Sequence, residues 1–207
     1  SYYNELPKNS EGDVILLDPF VGSGTSIIEA KLLGLKSLGI DIDVLSCLIS
    51  KTKINLLDLD VVTIEESIEN LLIKSNFEAP FTPVNNKYSF PPWIGVKFQK
   101  YEKLGDQEKS ENEIAFWGEL ISSVDSEKMR EICEICLSDA LARKYNIRMM
   151  GTGVGRFAFE IKETKLSTII RSNLIWVLKI ASLINVLKEN YNIKKQNSKR
   201  FGFINKS

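Results

Sequence analysis

The most constraining feature of the sequence is an alternation of strand and helix patterns in its N-terminal part. The apolar run from Val14 to Phe20 is short and bounded by turn residues, which is typical of a strand buried on both faces. A glycine-rich turn over residues 22–25 leads into a helical pattern over residues 25–33. A second strand is predicted over residues 35–40, and a second helix over residues 44–57. This order predicts an α/β fold with a parallel sheet and a right-handed crossover.

The remainder of the chain is predicted to be mainly helical. Gly34 is the expected C-cap of the first helix, and Thr63 with Glu66 forms a capping box that predicts a helix over residues 63–74. Further helices are predicted over residues 111–122, 127–144 and 164–189, and the alternation in residues 156–162 is compatible with a strand. The last helix has an apolar face too wide for an exposed helix, so we expect it to be buried on two sides.

Three regions follow from these patterns. Residues 1–75 form the strand–helix part, which carries the candidate binding motifs. Residues 76–110 are rich in proline and aromatic residues and are predicted to be a connector. Residues 111–207 form the helical region, which is the candidate for contacts with DNA or with a partner protein.

Composition excludes several classes of chemistry. Lys and Arg together number 27, as do Asp and Glu, so no global charge attracts nucleic acid. The chain has no His, which excludes Ser-His-Asp catalysis, a His general base and His-ligated metals. Cys47, Cys133 and Cys136 do not form a disulfide framework or a zinc site, and we expect buried, inert thiols. With neither a signal peptide nor a transmembrane run in the sequence, we expect a cytoplasmic protein without a membrane or metal partner.

The segment Asp18-Pro19-Phe20-Val21-Gly22-Ser23-Gly24-Thr25 is the most informative for function. It lies where a buried strand gives way to a helix, and glycine there lets a ligand approach the backbone because it lacks a Cβ. A branched side chain at Gly24 is therefore expected to block the ligand. The segment lacks the third glycine of the dinucleotide fingerprint, and no Gly-Lys-Ser/Thr follows it, so nicotinamide cofactors and nucleoside triphosphates are disfavoured.

Two acidic residues complete this candidate site. Asp18 ends the first predicted strand, where its carboxylate suits a cationic or amine-bearing ligand. Asp41 ends the second strand, at the place where an acidic residue accepts hydrogen bonds from both hydroxyls of a ribose. A nucleoside with an amino-acid tail and a positive sulfonium fits this pair, and S-adenosylmethionine is such a molecule.

The string DPFVGSGTSIIEAKLLGLKSLGIDID resembles the cofactor motif of the S-adenosylmethionine-dependent DNA amino-methyltransferases, which modify N6 of adenine or N4 of cytosine. The resemblance covers roughly residues 12–55 and implies a Rossmann-like methyltransferase sheet. It places the methionine end of the cofactor against the turn and the ribose on Asp41, with Ile40 and Ile42 flanking the adenine. The turn residues so implied are Asp18, Pro19, Phe20, Gly22, Ser23, Gly24 and Thr25. Similar strings occur in RNA guanine-N2 methyltransferases, which stay an alternative.

The sequence departs from this family at the catalytic motif. The family carries an Asp/Asn/Ser-Pro-Pro-aromatic tetrapeptide that accepts the N–H bonds of the target amine. The nearest string here is Phe90-Pro91-Pro92-Trp93, preceded by Ser89, and Phe90 cannot accept a hydrogen bond. Its simpler interpretation is a proline-rich loop. We therefore expect an incomplete sheet, which a second polypeptide or a missing segment completes and supplies with the tetrapeptide. A cofactor-binding or scaffolding subunit without catalysis stays open.

The C-terminal region holds one weaker candidate. Gly151-Thr152-Gly153-Val154-Gly155 precedes Arg156 but does not follow a strand pattern, so a turn is the simpler interpretation. The functional interpretation is a backbone-amide loop at which Arg148 and Arg156 contact DNA phosphates. The basic tail over residues 194–200 is expected to be a solvated end of the chain.

Overall fold

The order of elements begins as predicted, with strand, helix, strand and helix. The computed structural model describes residues 15–76, 104–145, 148–150, 156–158, 162, 164–191 and 201–205, with side chains described for 15–76, 110–145, 162 and 164–186. The elements are β1 (Ile15–Asp18), α1 (Thr25–Leu32), β2 (Lys36–Asp41), α2 (Val44–Asp58), α3 (Val61–Lys74), α4 (Leu104–Ser122), α5 (Glu127–Tyr145), β3 (Arg148–Met150), β4 (Arg156–Ala158), α6 (Leu166–Tyr191) and β5 (Phe201–Asn205). The fold is mostly helical with a small parallel sheet, which is compatible with a partial α/β architecture.

The chain packs as two units. The first comprises Ser1–Thr63 and Ile180–Ser207, and the second comprises Ile64–Lys179. The first unit therefore joins the N-terminal strand–helix part to the C-terminal end of the chain, which the sequence analysis assigned to the helical region.

The parallel sheet of the first unit has the strand order β1-β2-β5. Asp18 lies opposite Gly39, and Asp41 lies opposite Asn205, so the carboxyl ends of the three strands meet at one edge. β5 was not predicted, because Phe201–Asn205 directly follows a basic tail that favours solvent. Residues 194–200 lie outside the described residues.

β1 corrects the prediction of a strand buried on both faces. Leu16 packs against a buried cluster of Val21, Ile27 and Ile54. Ile15 and Leu17 point to the opposite face, where they are 54% and 57% exposed. Within the described residues β1 has a neighbouring strand on one side only, so one of its faces and one of its edges have no cover.

The end of α1 was predicted to within one residue, since the C-cap is Leu33 and Gly34 follows it, whereas the cap of α3 was predicted wrongly at Thr63. Gly34 has φ +74° and donates to the Lys31 carbonyl at 3.0 Å, while Leu35 donates to the Ala30 carbonyl at 2.8 Å, which is a Schellman motif. α3 begins two residues before Thr63, and its cap is Asp60, whose carboxylate accepts from both the Thr63 amide and the Thr63 hydroxyl at 2.8 Å. A charged carboxylate at the cap outcompetes a hydroxyl two residues inside the helix.

The second unit is mainly helical, also contains the β3–β4 pair, and has its own core. Trp117, Met129, Ile132, Ile170 and Leu174 are essentially inaccessible to solvent. Polar contacts also join its helices. The Ser167 amide at the start of α6 donates to the Glu113 carboxylate of α4 at 2.9 Å, and the Asn173 amide group of α6 donates to the Cys136 carbonyl of α5 at 3.0 Å.

The long helix α6 is buried on one side rather than two. Over residues 166–186, where side chains are described, the buried residues follow a single stripe, and large apolar side chains off that stripe are exposed, including Trp176 at 59% and Leu183 at 64%. The stretch Leu166–Val186 is long and apolar enough to cross a membrane by length and composition, and 28% of it is buried. The sequence analysis did not identify this stretch. Core helices of globular proteins are often as long and as apolar as this one. The hydrogen bond from the buried Asn173 side chain to α5 is a contact typical of such a core helix.

The thiols are buried, as predicted. Cys47, Cys133 and Cys136 are all free and buried. Burial raises the pKa of Cys136 to about 12, with a smaller contribution from nearby Asp139. Burial also raises the pKa of Cys133 well above its ordinary value. Neither thiol is activated for nucleophilic chemistry.

Candidate functional site

The glycine turn between β1 and α1 is a tight, left-handed bend. Gly22 has φ +47° and Gly24 has φ +80°, a region that residues with a Cβ rarely adopt. The Gly24 amide donates to the Val21 carbonyl at 2.7 Å, which closes the bend. The Val21 amide donates to the Ile40 carbonyl at 2.9 Å and so ties the bend to the end of β2. The turn therefore lies at the carboxyl edge of the sheet.

Asp41 lies directly against this turn. One carboxylate oxygen accepts a hydrogen bond from the Gly22 amide at 2.8 Å, and the other accepts from the Asp43 amide at 2.9 Å. Backbone hydrogen bonds, from Asp43 first, then from Gly22 and to a smaller extent from Ile42, lower the pKa of Asp41 below its ordinary value. The carboxylate is therefore ionised at neutral pH. Each oxygen keeps a second lone pair with which it can accept from a ligand hydroxyl.

Asp18 begins the turn on the β1 side. One of its carboxylate oxygens accepts from the Phe20 amide at 3.1 Å, which shapes the backbone around Pro19. The Phe20 ring is 85% exposed, an unusual position for a large apolar side chain. On the β2 side, Ile42 is 87% exposed. The structure thus places an uncovered apolar side chain next to each of the two strand-end acidic residues.

The start of α1 supplies backbone donors. Gly24 is its N-cap residue, no side chain caps it, and its first turn contains no acidic residue. The first amides of a helix lack partners within the helix, and the helix dipole favours negative charge there. The hydroxyls of Ser23 and Thr25 lie 3.4 Å apart at the same place. This end of α1 suits an anionic or acceptor group.

Gly24 has a packing contact that the sequence analysis did not predict. A Cβ built on Gly24 would lie 2.7 Å from the Ser50 Oγ and 3.0 Å from the Ser50 Cα of α2. Glycine is needed there because α2 packs on the turn, and the predicted approach of a ligand to Gly24 stays a prediction. Among the described residues, a Cβ on Gly22 would meet only the Phe20 carbonyl, at 3.8 Å. The open glycine of the turn is therefore Gly22.

Two residues of α2 that the sequence analysis missed bind the turn. The Ser50 hydroxyl donates to the Gly22 carbonyl at 2.9 Å, and the Lys53 ammonium donates to the Ser23 carbonyl at 2.7 Å. Their spacing of three residues places them on one face of the helix. The sequence shows that Ser50 and Lys53 lie on one face of an amphipathic helix. It does not show that this face contacts the turn.

The remaining candidates are less well described. Arg148 and Arg156 lie on β3 and β4, which pair antiparallel with Met150 opposite Arg156. The prediction that the residues before Gly151 do not form a strand was wrong. The side chains of both arginines lie outside the described set, as do residues 89–93 and 151–155, so a phosphate-binding role stays a prediction. Among the described residues no group of three or more Cys, Asp or Glu could hold a metal ion.

Comparison with known proteins gives one partial similarity. Over 48 residues the chain is 44% identical to the type II methyltransferase M.MjaII of Methanocaldococcus jannaschii. That segment is 23% of this chain and 9% of the other protein. No family model matches the chain, and no solved structure matches it. The similarity indicates a relationship to methyltransferases and leaves the target amine and the cofactor to be tested.

Proposed function

We propose that this chain is the S-adenosylmethionine-binding part of a DNA methyltransferase that methylates an exocyclic amine, either N6 of adenine or N4 of cytosine. The observation that carries the proposal is the position of the ionised Asp41 carboxylate against the left-handed glycine turn, at the carboxyl edge of a parallel sheet. Ligands of open α/β sheets bind outside this edge. The partial similarity to a type II methyltransferase supports the same conclusion.

The residues at this edge fit S-adenosylmethionine. Asp41 has lone pairs for ribose hydroxyls, because a carboxylate offers about four acceptor sites and the Gly22 and Asp43 amides each donate to a different oxygen. Ile42 offers an exposed apolar surface to an adenine ring. Asp18 has one carboxylate oxygen engaged by the Phe20 amide and one that suits an ammonium group. The uncapped start of α1 suits a carboxylate.

Bound S-adenosylmethionine supplies an activated methyl group on a sulfonium. The chain's own residues hold and orient the two ends of the molecule, with Asp41 on the ribose and the turn at the amino-acid tail. No covalent adduct with the base is required, so the inert thiols are consistent with the reaction. Rate acceleration then rests on positioning of the target amine after the base is extruded from the duplex.

The groups that orient the target amine are proposed to lie on a second polypeptide or on another segment. The uncovered side of β1 supports this, because Ile15 and Leu17 are exposed there and no described strand pairs with the outer edge of β1. Parallel sheets are stable only when both faces are covered, and an open edge can pair with a further strand. We propose that a strand from that partner, which also contacts DNA, pairs with β1.

Ligand binding tests the site. Titration calorimetry with S-adenosylhomocysteine should show binding by the wild-type chain and strong weakening in Asp41→Ala, while Asp125→Ala, an exposed carboxylate of the second unit, should bind normally. Because Asp41 also holds the turn, Asp41→Ala should melt earlier than wild type, and Asp41→Asn, which keeps one acceptor oxygen, should lie between them. Unchanged affinity in Asp41→Ala would remove this residue from the ribose role.

Methyl transfer tests the reaction. Tritiated S-adenosylmethionine is incubated with DNA and the chain, with and without the polypeptide encoded beside it. The proposal expects label in DNA only when both polypeptides are present. Label with the chain alone would show that the orienting groups are already in this chain. Binding of the cofactor without label under either condition would favour a scaffolding subunit, and label in RNA but not DNA would favour an RNA guanine-N2 enzyme.

A further inference from the structure

Two carbonyl groups of the glycine turn are held by side chains of α2. Ser50, which is fully buried, donates its hydroxyl to the Gly22 carbonyl at 2.9 Å. Lys53, one helical turn later, donates to the Ser23 carbonyl at 2.7 Å. Both carbonyls therefore point toward α2.

The direction of the Gly22 carbonyl fixes the direction of the Ser23 amide, because both belong to one peptide group. A trans peptide is planar, with its C=O and N–H on opposite sides, and the described part of the chain contains no cis peptide. Because the Gly22 carbonyl points at Ser50, the Ser23 N–H of the same peptide points away from α2. In the described residues this N–H donates no hydrogen bond, and Ser23 is exposed.

The orientation of the Gly22–Ser23 peptide affects how well the turn can bind an anion. A carbonyl oxygen repels a carboxylate, whereas an N–H attracts it. Were the Gly22 peptide rotated, its oxygen would replace the Ser23 N–H beside the uncapped start of α1. Lys53 adds a positive charge at the next peptide, whose carbonyl belongs to Ser23. The contacts of α2 thus keep this end of the turn suited to a negative group.

We propose that Ser50 and Lys53 are positioning residues for the amino-acid tail of the cofactor. They act through the turn, by keeping the Ser23 amide directed at the tail carboxylate, and they do not contact the adenosine. The inference rests on the proposed function, because it requires that the turn binds the tail of S-adenosylmethionine. It predicts that substitutions of Ser50 and Lys53 weaken the binding of ligands that have the amino-acid tail more than the binding of ligands that lack it.

Two ligands that differ in the tail separate positioning from general support. S-adenosylhomocysteine has the amino-acid tail, and 5′-methylthioadenosine lacks it. In calorimetric titrations of the full chain, Ser50→Ala should weaken S-adenosylhomocysteine binding about tenfold, which is about 1.4 kcal/mol. Binding of 5′-methylthioadenosine should change less than about twofold. Equal weakening for both ligands, or no weakening for S-adenosylhomocysteine, would overturn the inference.

Thr52 provides the matched control. It is a buried hydroxyl residue of the same helix, two positions from Ser50, and within the described residues its hydroxyl has no hydrogen-bond partner. Thr52→Val removes this hydroxyl at nearly constant shape and should leave both affinities unchanged. Selective loss of tail binding in Thr52→Val would mean that any buried change in α2 disturbs the turn, which would overturn the specific role of Ser50.

Lys53 gives a second measurement that does not depend on a buried substitution. Lys53→Met should selectively weaken S-adenosylhomocysteine, and Lys53→Arg should restore most of the affinity because it keeps the charge and donors. Weakening by Lys53→Met that is equal for both ligands would overturn the inference for this residue. If the wild-type chain binds neither ligand, the proposed function itself fails. If it binds both and the variants lose them equally, only the positioning role fails.

Discussion

The packing of Gly24 against α2 leads to a quantitative prediction for Gly24→Ala. The new Cβ would lie 2.8 Å from the Ser50 Cβ and 3.0 Å from its Cα, closer than real Cβ contacts. The left-handed conformation at φ +80° costs a residue with a Cβ about 1–2 kcal/mol. Overpacking in a dense region costs about 1–3 kcal/mol more. We therefore expect Gly24→Ala to lower the free energy of unfolding by about 2–5 kcal/mol.

Gly22→Ala is the matched comparison, because it has a similar backbone strain without the steric contact. Its φ is +47°, and the one described atom that its new Cβ would meet is a carbonyl oxygen at 3.8 Å. The expected loss is the conformational cost alone, about 1–2 kcal/mol. Urea denaturation followed by far-ultraviolet circular dichroism measures both variants. Equal losses in the two variants would refute the conclusion that α2, rather than backbone strain, requires glycine at position 24.

A double-mutant cycle tests the same contact directly. Ser50→Gly removes the Oγ and Cβ that the Gly24→Ala methyl would meet but leaves the Ser50 Cα at 3.0 Å. The relief should therefore be partial, and the double variant should be more stable than the sum of the single losses predicts. Strict additivity would mean that Gly24 and Ser50 do not interact.

The remaining predictions concern stability and thiol reactivity. Asp60→Ala should destabilise α3 by about 1 kcal/mol in thermal denaturation, because it removes the N-cap. Asp58→Ala should cost about 3–5 kcal/mol, because the buried Lys31 ammonium loses its ion pair with Asp58 at 2.5 Å, and Lys31→Met in the same chain should recover much of this loss. Cys133 and Cys136 should not react with a thiol reagent at pH 8, since burial raises both pKa values, and should react in urea.

The sequence allowed the strand–helix alternation and the glycine turn to be predicted because both are local. A short apolar run and a glycine pair identify themselves within a few residues, and the Gly34 cap did so as well. The cap of α3 was missed because two adjacent candidates were present, and the choice between Asp60 and Thr63 depends on where the helix begins. Such one-turn shifts are beyond the precision of pattern reading.

Long-range features could not be predicted in the same way. β5 pairs with β2 across more than half of the chain, and nothing in Phe201–Asn205 identifies β2 as its partner. The exposure of one face of β1 was also not predictable, because the apolar residues of β1 are those of a buried strand. Their exposure depends on which distant segments pack against them. For the same reason the contacts of Ser50 and Lys53 with the turn became visible only in the structure.

These contacts bear on the affinity that the site can reach. Ordering the backbone of one residue costs about 1–2 kcal/mol, and a ligand that had to order the whole turn would lose that amount for each residue. Here β2, Asp41 and α2 each hydrogen-bond to the turn before any ligand binds. Preorganisation of this kind transfers the cost from binding to folding. Substitutions that loosen the turn should therefore lower stability and affinity together, whereas substitutions of exposed Ile42 should lower affinity alone.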